Sequence, residues 1–113
     1  MPRAQLIALM SLCSSATLAS DLIEAVGAER CGGALRRYDV EFLAPEDSQV
    51  EVSAKVMRAG KEDEGTAPSL SLDGSPCTNA RCTFRAIKGQ TYKLAAQIAT
   101  QSHENICISV VRP

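Results

Sequence analysis

The chain of 113 residues carries 12 basic and 13 acidic side chains, which gives a formal net charge of −1 at pH 7. This length supports one domain, and the balanced charge argues against an electrostatic nucleic-acid binder, which needs a concentrated basic surface. Two tyrosines, two phenylalanines and no tryptophan leave few side chains that could stack on bases or sugar rings.

Residues 1–19 have the three-part layout of a secretory signal peptide. Arg3 supplies the positive start, and Ala4–Cys13 form a mostly apolar run. Thr17 and Ala19 suit positions −3 and −1 of a cleavage site. The apolar run is about half as long as a membrane-spanning helix needs to be, so we expect no membrane span.

Cleavage after Ala19 would leave residues 20–113 as a single domain. Because Arg3 leaves with the signal, 11 basic and 13 acidic side chains would remain, a formal charge of −2. Cys13 would leave too, and an even number of cysteines in a short exported chain is typical of two disulfides. A lipid anchor on Cys13 is disfavoured because Leu12 is not a small residue. A cytosolic amphipathic helix is the other alternative, but the sequence changes character abruptly after residue 19.

The first element of the mature chain is ambiguous. Asp21 and Glu24 resemble a capping box, and Ile23 and Val26 could share one helix face. We therefore predict a short helix over Ser20–Arg30 in preference to a strand.

From Arg37 onward the hydrophobic period changes to two, the pattern of strands with one dry and one wet face. The predicted strands are Arg37–Phe42, Val50–Val56, Leu70–Leu72, Thr83–Ala86, Thr91–Ile98 and Ile106–Val111. Turn residues at 45–48 predict that the first two pair as a hairpin. The pattern predicts an all-β fold, a small antiparallel β-sandwich of about six strands with two disulfides, or else a small barrel.

Four cysteines would remain in the mature chain. Cys77 and Cys82 are five residues apart, a separation that places side chains opposite one another in a tight hairpin. Cys31 with Cys107 would then join the start of the domain to its last strand. The chain-entropy model gives roughly 4.5 and 2 kcal/mol for these bonds, and roughly 4 and 3.5 for the alternative pairing of Cys31 with Cys77 and Cys82 with Cys107. Entropy does not choose between them, so we predict the first pairing on hairpin geometry.

The alternation in the last strand predicts where its cysteine points. Cys107 alternates with Ile106, Ile108 and Val110, so it faces away from the core if those three form it. Its bond to Cys31 would then clamp the N-terminal segment over the outer side or the edge of the sheet.

Neither redox nor metal chemistry is indicated for Cys77 and Cys82. Redox motifs usually have two intervening residues beside a helix, and zinc sites need a second ligand pair. The run Glu62, Asp63 and Glu64 lacks the alternating ligands of an EF-hand loop, so a solvated loop is favoured over a calcium site.

Other chemistry-bearing residues are few. His103 beside Glu104 could act as a general acid or base, but no positioned nucleophile or phosphate loop accompanies it. Arg36 and Arg37 open a strand and point to opposite faces, so they are expected as edge or rim charges. The aromatic residues all fall on the apolar phases of strands and are predicted in the core: Tyr38, Phe42, Phe84 and Tyr92.

Two segments are similar to a known family. Cys82–Leu94 reads CTFRAIKGQTYKL, and Leu70–Gly74 reads LSLDG. They resemble the strand–turn–strand of bacterial pre-peptidase C-terminal domains and related exported sandwiches, in which a turn with Gly precedes a Tyr that opens the next strand. The resemblance implies a sandwich, and those domains are non-catalytic appendages of exported enzymes. The four cysteines and the N-terminal segment depart from the family pattern.

These patterns favour a periplasmic or secreted, non-enzymatic binding domain whose partner is another exported or cell-envelope protein, as for an inhibitor or immunity-type protein. Recognition is expected on the loops Lys61–Thr66, Thr78–Arg81 and Gln101–Asn105. The candidate binding residues are Lys61, Glu62, Asp63, Glu64, Asn79, Arg81, His103 and Glu104. The alternatives are a structural envelope component and an enzyme centred on His103. We expect no cofactor and no metal.

Overall fold

The structure, a computed structural model, describes residues 21–33, 36–99 and 105–113. In these residues it is all-β, without a helix that could cross a membrane. The strands are β1 (Asp21–Ile23), β2 (Ala28–Gly33), β3 (Arg37–Leu43), β4 (Ser48–Arg58), β5 (Lys61–Glu62), β6 (Ser69–Leu72), β7 (Ser75–Pro76), β8 (Arg81–Ala86), β9 (Thr91–Gln97) and β10 (Asn105–Val111). All the predicted strands are present, and β1, β2, β5 and β7 are additional.

The strands form two sheets that pack face to face. The first sheet has the order β1-β3-β9-β6-β7, and the second has the order β2-β10-β4-β5, with β8 also paired to β4. All the pairs are antiparallel except β1 with β3, which is parallel. The largest fully buried side chains come from both sheets: Phe42, Ile23, Leu94, Ile106, Ile108, Val40, Val50, Val52, Val56 and Val110. The predicted small antiparallel sandwich is therefore confirmed.

The aromatic residues belong to this core, as their strand phases predict. Phe42 and Tyr38 are buried. Tyr92 is half-buried between the rings of Phe42 and Phe84, with centroid separations of 6.2 and 4.8 Å. Stacked and tilted rings at these distances add to the stability that burial provides.

The predicted helix over Ser20–Arg30 is wrong for the described residues from 21 onward. They form β1 and β2 on either side of a turn in which Gly27 has a φ of +99°. The Gly27 amide donates to the carbonyl of Val110 at 2.6 Å. Asp21 accepts a hydrogen bond from the Tyr38 hydroxyl instead of capping a helix. Pairing with strands distant in sequence thus overrides a weak local helix signal.

The predicted hairpin between the segments now seen as β3 and β4 is also wrong. β3 pairs with β1 and β9 in the first sheet, whereas β4 pairs with β10, β8 and β5 in the second. The chain from Ala44 to Asp47 crosses between the sheets instead. Alternation shows only that each strand buries one face. Strands of one hairpin and strands of two facing sheets both meet this condition, so alternation does not distinguish the two arrangements.

Two such crossings lie side by side. The Ala44 amide donates to the carbonyl of Gln90 at 3.0 Å, and the Gly89 amide donates to the carbonyl of Ala44 at 2.9 Å. The Lys88 amide donates to the Asp47 carboxylate at 2.7 Å. These bonds satisfy backbone groups that would otherwise be left unpaired where the chain leaves one sheet for the other.

The disulfide between Cys31 and Cys107 lies on the outer side of the second sheet, as predicted. The two residues are directly opposite in the pairing of β2 with β10, with their Cα atoms 4.0 Å apart. Ile106, Ile108 and Val110 face the core. The bond therefore holds β2, the edge strand, against β10.

The contact between Asp21 and Tyr38 joins β1 to β3. Burial is the largest cause that raises the pKa of the Tyr38 hydroxyl above its ordinary value, followed by the hydrogen bond to Asp21 and the negative charge of that carboxylate. The neutral hydroxyl is therefore favoured in the folded state.

This shift predicts a loss of stability in alkali. Unfolded tyrosine loses its proton near pH 10, whereas folded Tyr38 keeps its proton to higher pH. The contribution is constant below about pH 10 and then falls by up to about 1.4 kcal/mol per pH unit. Urea unfolding of wild type and Tyr38→Phe between about pH 8 and 11.5 measures it. Tyr92→Phe is the control, and equal alkaline loss in wild type and Tyr38→Phe would contradict the assignment.

Candidate functional site

Two of the three predicted recognition loops meet over the C-terminal half of β4. β8 pairs with β4 over Ser48–Ser53, and β5 pairs with it over Met57 and Arg58. The residues Ala54–Val56 lie between these pairings and form the floor of a groove of about 370 Å³. We call it the β4 groove. Its described lining is Ser53, Ala54, Lys55, Val56, Glu62, Asp63, Glu64, Thr66, Ala67, Pro68, Asn79, Ala80 and Arg81.

One wall of the β4 groove is the loop that follows β5, and Asp63 organises it. Its carboxylate accepts hydrogen bonds from the Gly65 amide at 3.1 Å and from the Thr66 hydroxyl at 3.0 Å. The same carboxylate is paired with Arg58 at 3.5 Å, and the Asp63 amide donates to the carbonyl of Val56 at 2.8 Å. Asp63 therefore fixes the shape of the loop, and Glu62 and Glu64 beside it are exposed.

The other wall is a turn closed by the disulfide between Cys77 and Cys82, the pairing expected from hairpin geometry. Their Cα atoms are 5.2 Å apart. Asn79 and Ala80 at the centre of the turn have φ values of +54° and +57°, and the Arg81 amide donates to the carbonyl of Thr78 at 3.0 Å. Positive φ at both central residues is the signature of a type I′ hairpin turn.

The charges around the β4 groove are unevenly neutralised. Lys55 is paired with Glu29 at 3.3 Å, and Arg81 is paired with Glu51 at 2.9 Å. Within the described part of the chain, neither Glu62 nor Glu64 has an ion-pair partner. The mouth of the groove thus presents acidic side chains next to basic ones that are already paired.

The remaining candidate residues are placed differently. Lys61 is exposed in β5 and does not line the groove. His103 and Glu104, with most of the third predicted loop, lie outside the described residues, and Asn105 begins β10 opposite Met57. Among the described residues that line the groove there is no histidine and no free thiol.

The arginines at the start of β3 lie elsewhere, on the rim and outer face of the first sheet. Arg37 pairs with Asp39 at 2.9 Å, and Arg36 donates to the carbonyl of Ala99 at 3.4 Å. A depression of about 240 Å³ lies beside Arg37, with Lys93 and Ala95 on its far side. Its lining comes from the neighbouring strands β3 and β9, without the two loop walls of the β4 groove.

The role of Asp63 predicts an unequal effect of two neighbouring substitutions. Asp63→Ala removes the acceptor for Gly65 and Thr66 and is expected to cost about 1–2 kcal/mol of unfolding free energy. Glu64→Ala is expected to change it by less than about 0.5 kcal/mol. Urea unfolding measures both, and hydrogen exchange of the Gly65 amide should accelerate only in Asp63→Ala. Equal effects of the two changes would contradict this role.

No family model matches this chain, and no curated protein sequence matches it. Solved structures do match it. The pre-peptidase C-terminal domain of a collagenase from Bacillus anthracis superposes with a TM-score of 0.54 at 12% sequence identity, over 81% of this chain and 96% of that chain. At this identity the match shows the fold, and it confirms the structural resemblance that the turn sequences predict.

Two further matches are more distant. CBM_E1, a carbohydrate-binding module from a sugar cane soil metagenome, matches with a TM-score of 0.45 and 15% identity, over 91% of this chain and 100% of that chain. A β-glucosidase from Paenibacillus barengoltzii matches with a TM-score of 0.45 and 12% identity, over 89% of this chain and 12% of that chain.

Proposed function

We propose that this chain is an exported, non-enzymatic binding domain that recognises another exported or cell-envelope protein through the β4 groove. The observation that carries the proposal is that two polar loops, separate in sequence, form the two walls of one groove. Loops held on a rigid scaffold are the usual place for recognition, and here a disulfide closes one wall while the Asp63 carboxylate orders the other.

The chemistry of the groove favours a protein over a small molecule. Pockets for small molecules are predominantly apolar and aromatic, whereas the described lining of the β4 groove is mainly polar and carries no aromatic side chain. Exposed main chain and charged side chains are the groups that protein segments use to recognise one another. In its described lining the groove also holds no histidine or thiol to act as a general base or nucleophile, and one of its three carboxylates, Asp63, is bonded within its own loop.

Two disulfides in a small domain support export, because such bonds persist in oxidising compartments. We propose that residues 1–19 are the leader and that cleavage follows Ala19. Mass spectrometry of the protein from its native host tests this part separately, since a mature chain that begins at Ser20 is expected.

Site-specific photocrosslinking tests the proposed function. A photoreactive residue replaces Glu64 at the mouth of the groove, and in the control variant it replaces Glu46, an exposed residue just before the other end of β4. In a cell-envelope extract of the native host, the variant with the probe at Glu64 is expected to form one crosslinked protein product that the Glu46 variant does not form. Equal products from both positions, or no product from position 64, would contradict the proposal.

A further inference from the structure

We propose, on the basis of the proposed function, that the β4 groove receives one residue of a partner segment opposite Lys55, in the parallel sense, with a basic side chain of that segment toward Glu62 and Glu64. The main chain of a single partner residue would bond to the Ala54 carbonyl and the Val56 amide. The argument starts from the hydrogen bonds that β4 makes at the two ends of the groove.

The N–H and C=O groups of one strand residue point to the same edge of the strand, and those of the next residue point to the other edge. The Ala54 amide donates to the carbonyl of Ala80 at 3.1 Å, and the Val56 carbonyl accepts from the amide of Asp63 at 2.8 Å. Ala54 and Val56 therefore both direct their backbone groups toward the edge that β8 and β5 cover elsewhere. The Ala54 carbonyl and the Val56 amide lie on this edge, inside the groove.

Each wall makes one backbone hydrogen bond to β4 inside the groove, and its chain then turns away from β4. A continued ladder would pair Ala54 with Ala80 and Val56 with Asp63, but the described pairings stop at Ser53 and at Met57. Ala80 belongs to the turn with positive φ, and the carbonyl of Asp63 accepts from the amide of Thr66 at 3.2 Å. Within the described part of the chain, neither the Ala54 carbonyl nor the Val56 amide takes part in the pairing of β4 with β8 or with β5.

The spacing of these two groups selects the direction of the partner. In a parallel pair, one residue donates to the carbonyl before the opposite residue and accepts from the amide after it. A residue opposite Lys55 would therefore satisfy both groups at once. An antiparallel segment has no single residue that reaches both groups. In a continuous strand of either direction, the neighbours of the residue opposite Lys55 would lie where Ala80 and Asp63 already lie, so the partner places only this one residue against β4 and bends away on both sides of it.

The side chains of the mouth select the charge of the partner. Lys55 and Arg81 are each paired with an acid of the second sheet, whereas Glu62 and Glu64 have no ion-pair partner in the described residues. A Lys or Arg in the bound segment would complement them, and an acidic residue would be repelled. The two backbone bonds would contribute affinity, and this charge would contribute selectivity.

A library of random eight-residue peptides displayed on phage tests the inference. It is selected on the oxidised protein and counter-selected on the double variant Glu62→Lys/Glu64→Lys. Enriched peptides are expected to carry Lys or Arg, and a synthetic copy should bind the double variant at least about tenfold more weakly. Glu24→Lys/Glu46→Lys changes the charge equally at exposed positions outside the groove and should bind like wild type.

N-methylation of the selected peptide, one amide at a time, tests the main-chain bonds. Methylation at one position is expected to weaken binding at least about tenfold, because it removes the donor to the Ala54 carbonyl. The Val56 amide should become protected from hydrogen exchange when the peptide binds. No enriched peptide, or less than twofold change at every methylated position, overturns the inference. The proposed function would still stand if the probe at Glu64 captured a partner, and would fall separately if it did not.

Discussion

Replacement of both Cys31 and Cys107 by alanine is expected to lower the unfolding free energy by about 3–5 kcal/mol. The bond closes a sequence separation of 76 residues, for which the loss of chain entropy in the unfolded state is worth about 4.5 kcal/mol. Alanine avoids a hydroxyl at position 107, which is only 3% exposed. For a small domain this loss is a large part of the total stability.

The position of the bond adds to the expected effect. β2 is an edge strand, and the structure places none of its side chains among the fully buried ones. Its attachment therefore depends chiefly on its ladder with β10 and on the disulfide, and hydrogen exchange in Ala28–Gly32 should accelerate most when the bond is removed.

The second disulfide provides a matched control. Cys77 and Cys82 are separated by 5 residues, so the same model gives about 2 kcal/mol for their replacement by alanine. Urea unfolding of the two double variants and the wild type, all oxidised, measures the difference. A larger loss for the short loop than for the long one would contradict this account.

Ile108→Ala is expected to cost about 3–4 kcal/mol of unfolding free energy. Ile108 is 0% exposed and lies in β10, which is hydrogen-bonded on both sides, to β2 and to β4. Truncation of its side chain removes buried apolar contacts and leaves a cavity that two flanking strands keep from collapsing.

The control is the same substitution, isoleucine to alanine, at an exposed position. Ile87 is 52% exposed, so Ile87→Ala is expected to change the unfolding free energy by less than about 0.5 kcal/mol. Thermal and urea unfolding of both variants measure the two effects. Similar losses of unfolding free energy in the two variants would contradict the central place of β10 in the core.

The sequence predicts the strands well because the evidence for each strand is local. Val40 and Phe42 in β3 and Leu94 and Ala96 in β9 are buried on alternate positions, and the alternation is visible without knowledge of the neighbouring strand. The disulfide on the outer side of β10 follows from the same alternation. A single dry face is enough to produce the pattern.

Pairing is not predicted in the same way, because it depends on residues far along the chain. β3 and β4 look like a hairpin from their turn residues, but they belong to different sheets. The segment from Asp21 to Arg30 has an apolar spacing compatible with a helix, and it becomes two strands because β3 and β10 supply partners for its backbone.

The candidate site, too, is only partly predictable from the sequence. The loops around Glu62 to Glu64 and Asn79 to Arg81 are predictable from their polar composition. The groove floor at Ala54–Val56 is not, because only the registers of β5 and β8 decide which stretch of β4 stays uncovered. His103 and Glu104 stay predictions, since they lie outside the described residues.

The order of strands in the second sheet also constrains how the protein is made. β10 follows every other described strand along the chain, yet it sits between β2 and β4. β2 therefore has no strand to pair with until the last segment of the chain has been made, and non-local pairing of this kind is slow. Cys77 and Cys82 emerge earlier and close to each other, so their early oxidation would remove the two thiols that could otherwise trap Cys31 in a wrong bond. Early formation of the Cys77–Cys82 bond would in this way favour the correct Cys31–Cys107 bond.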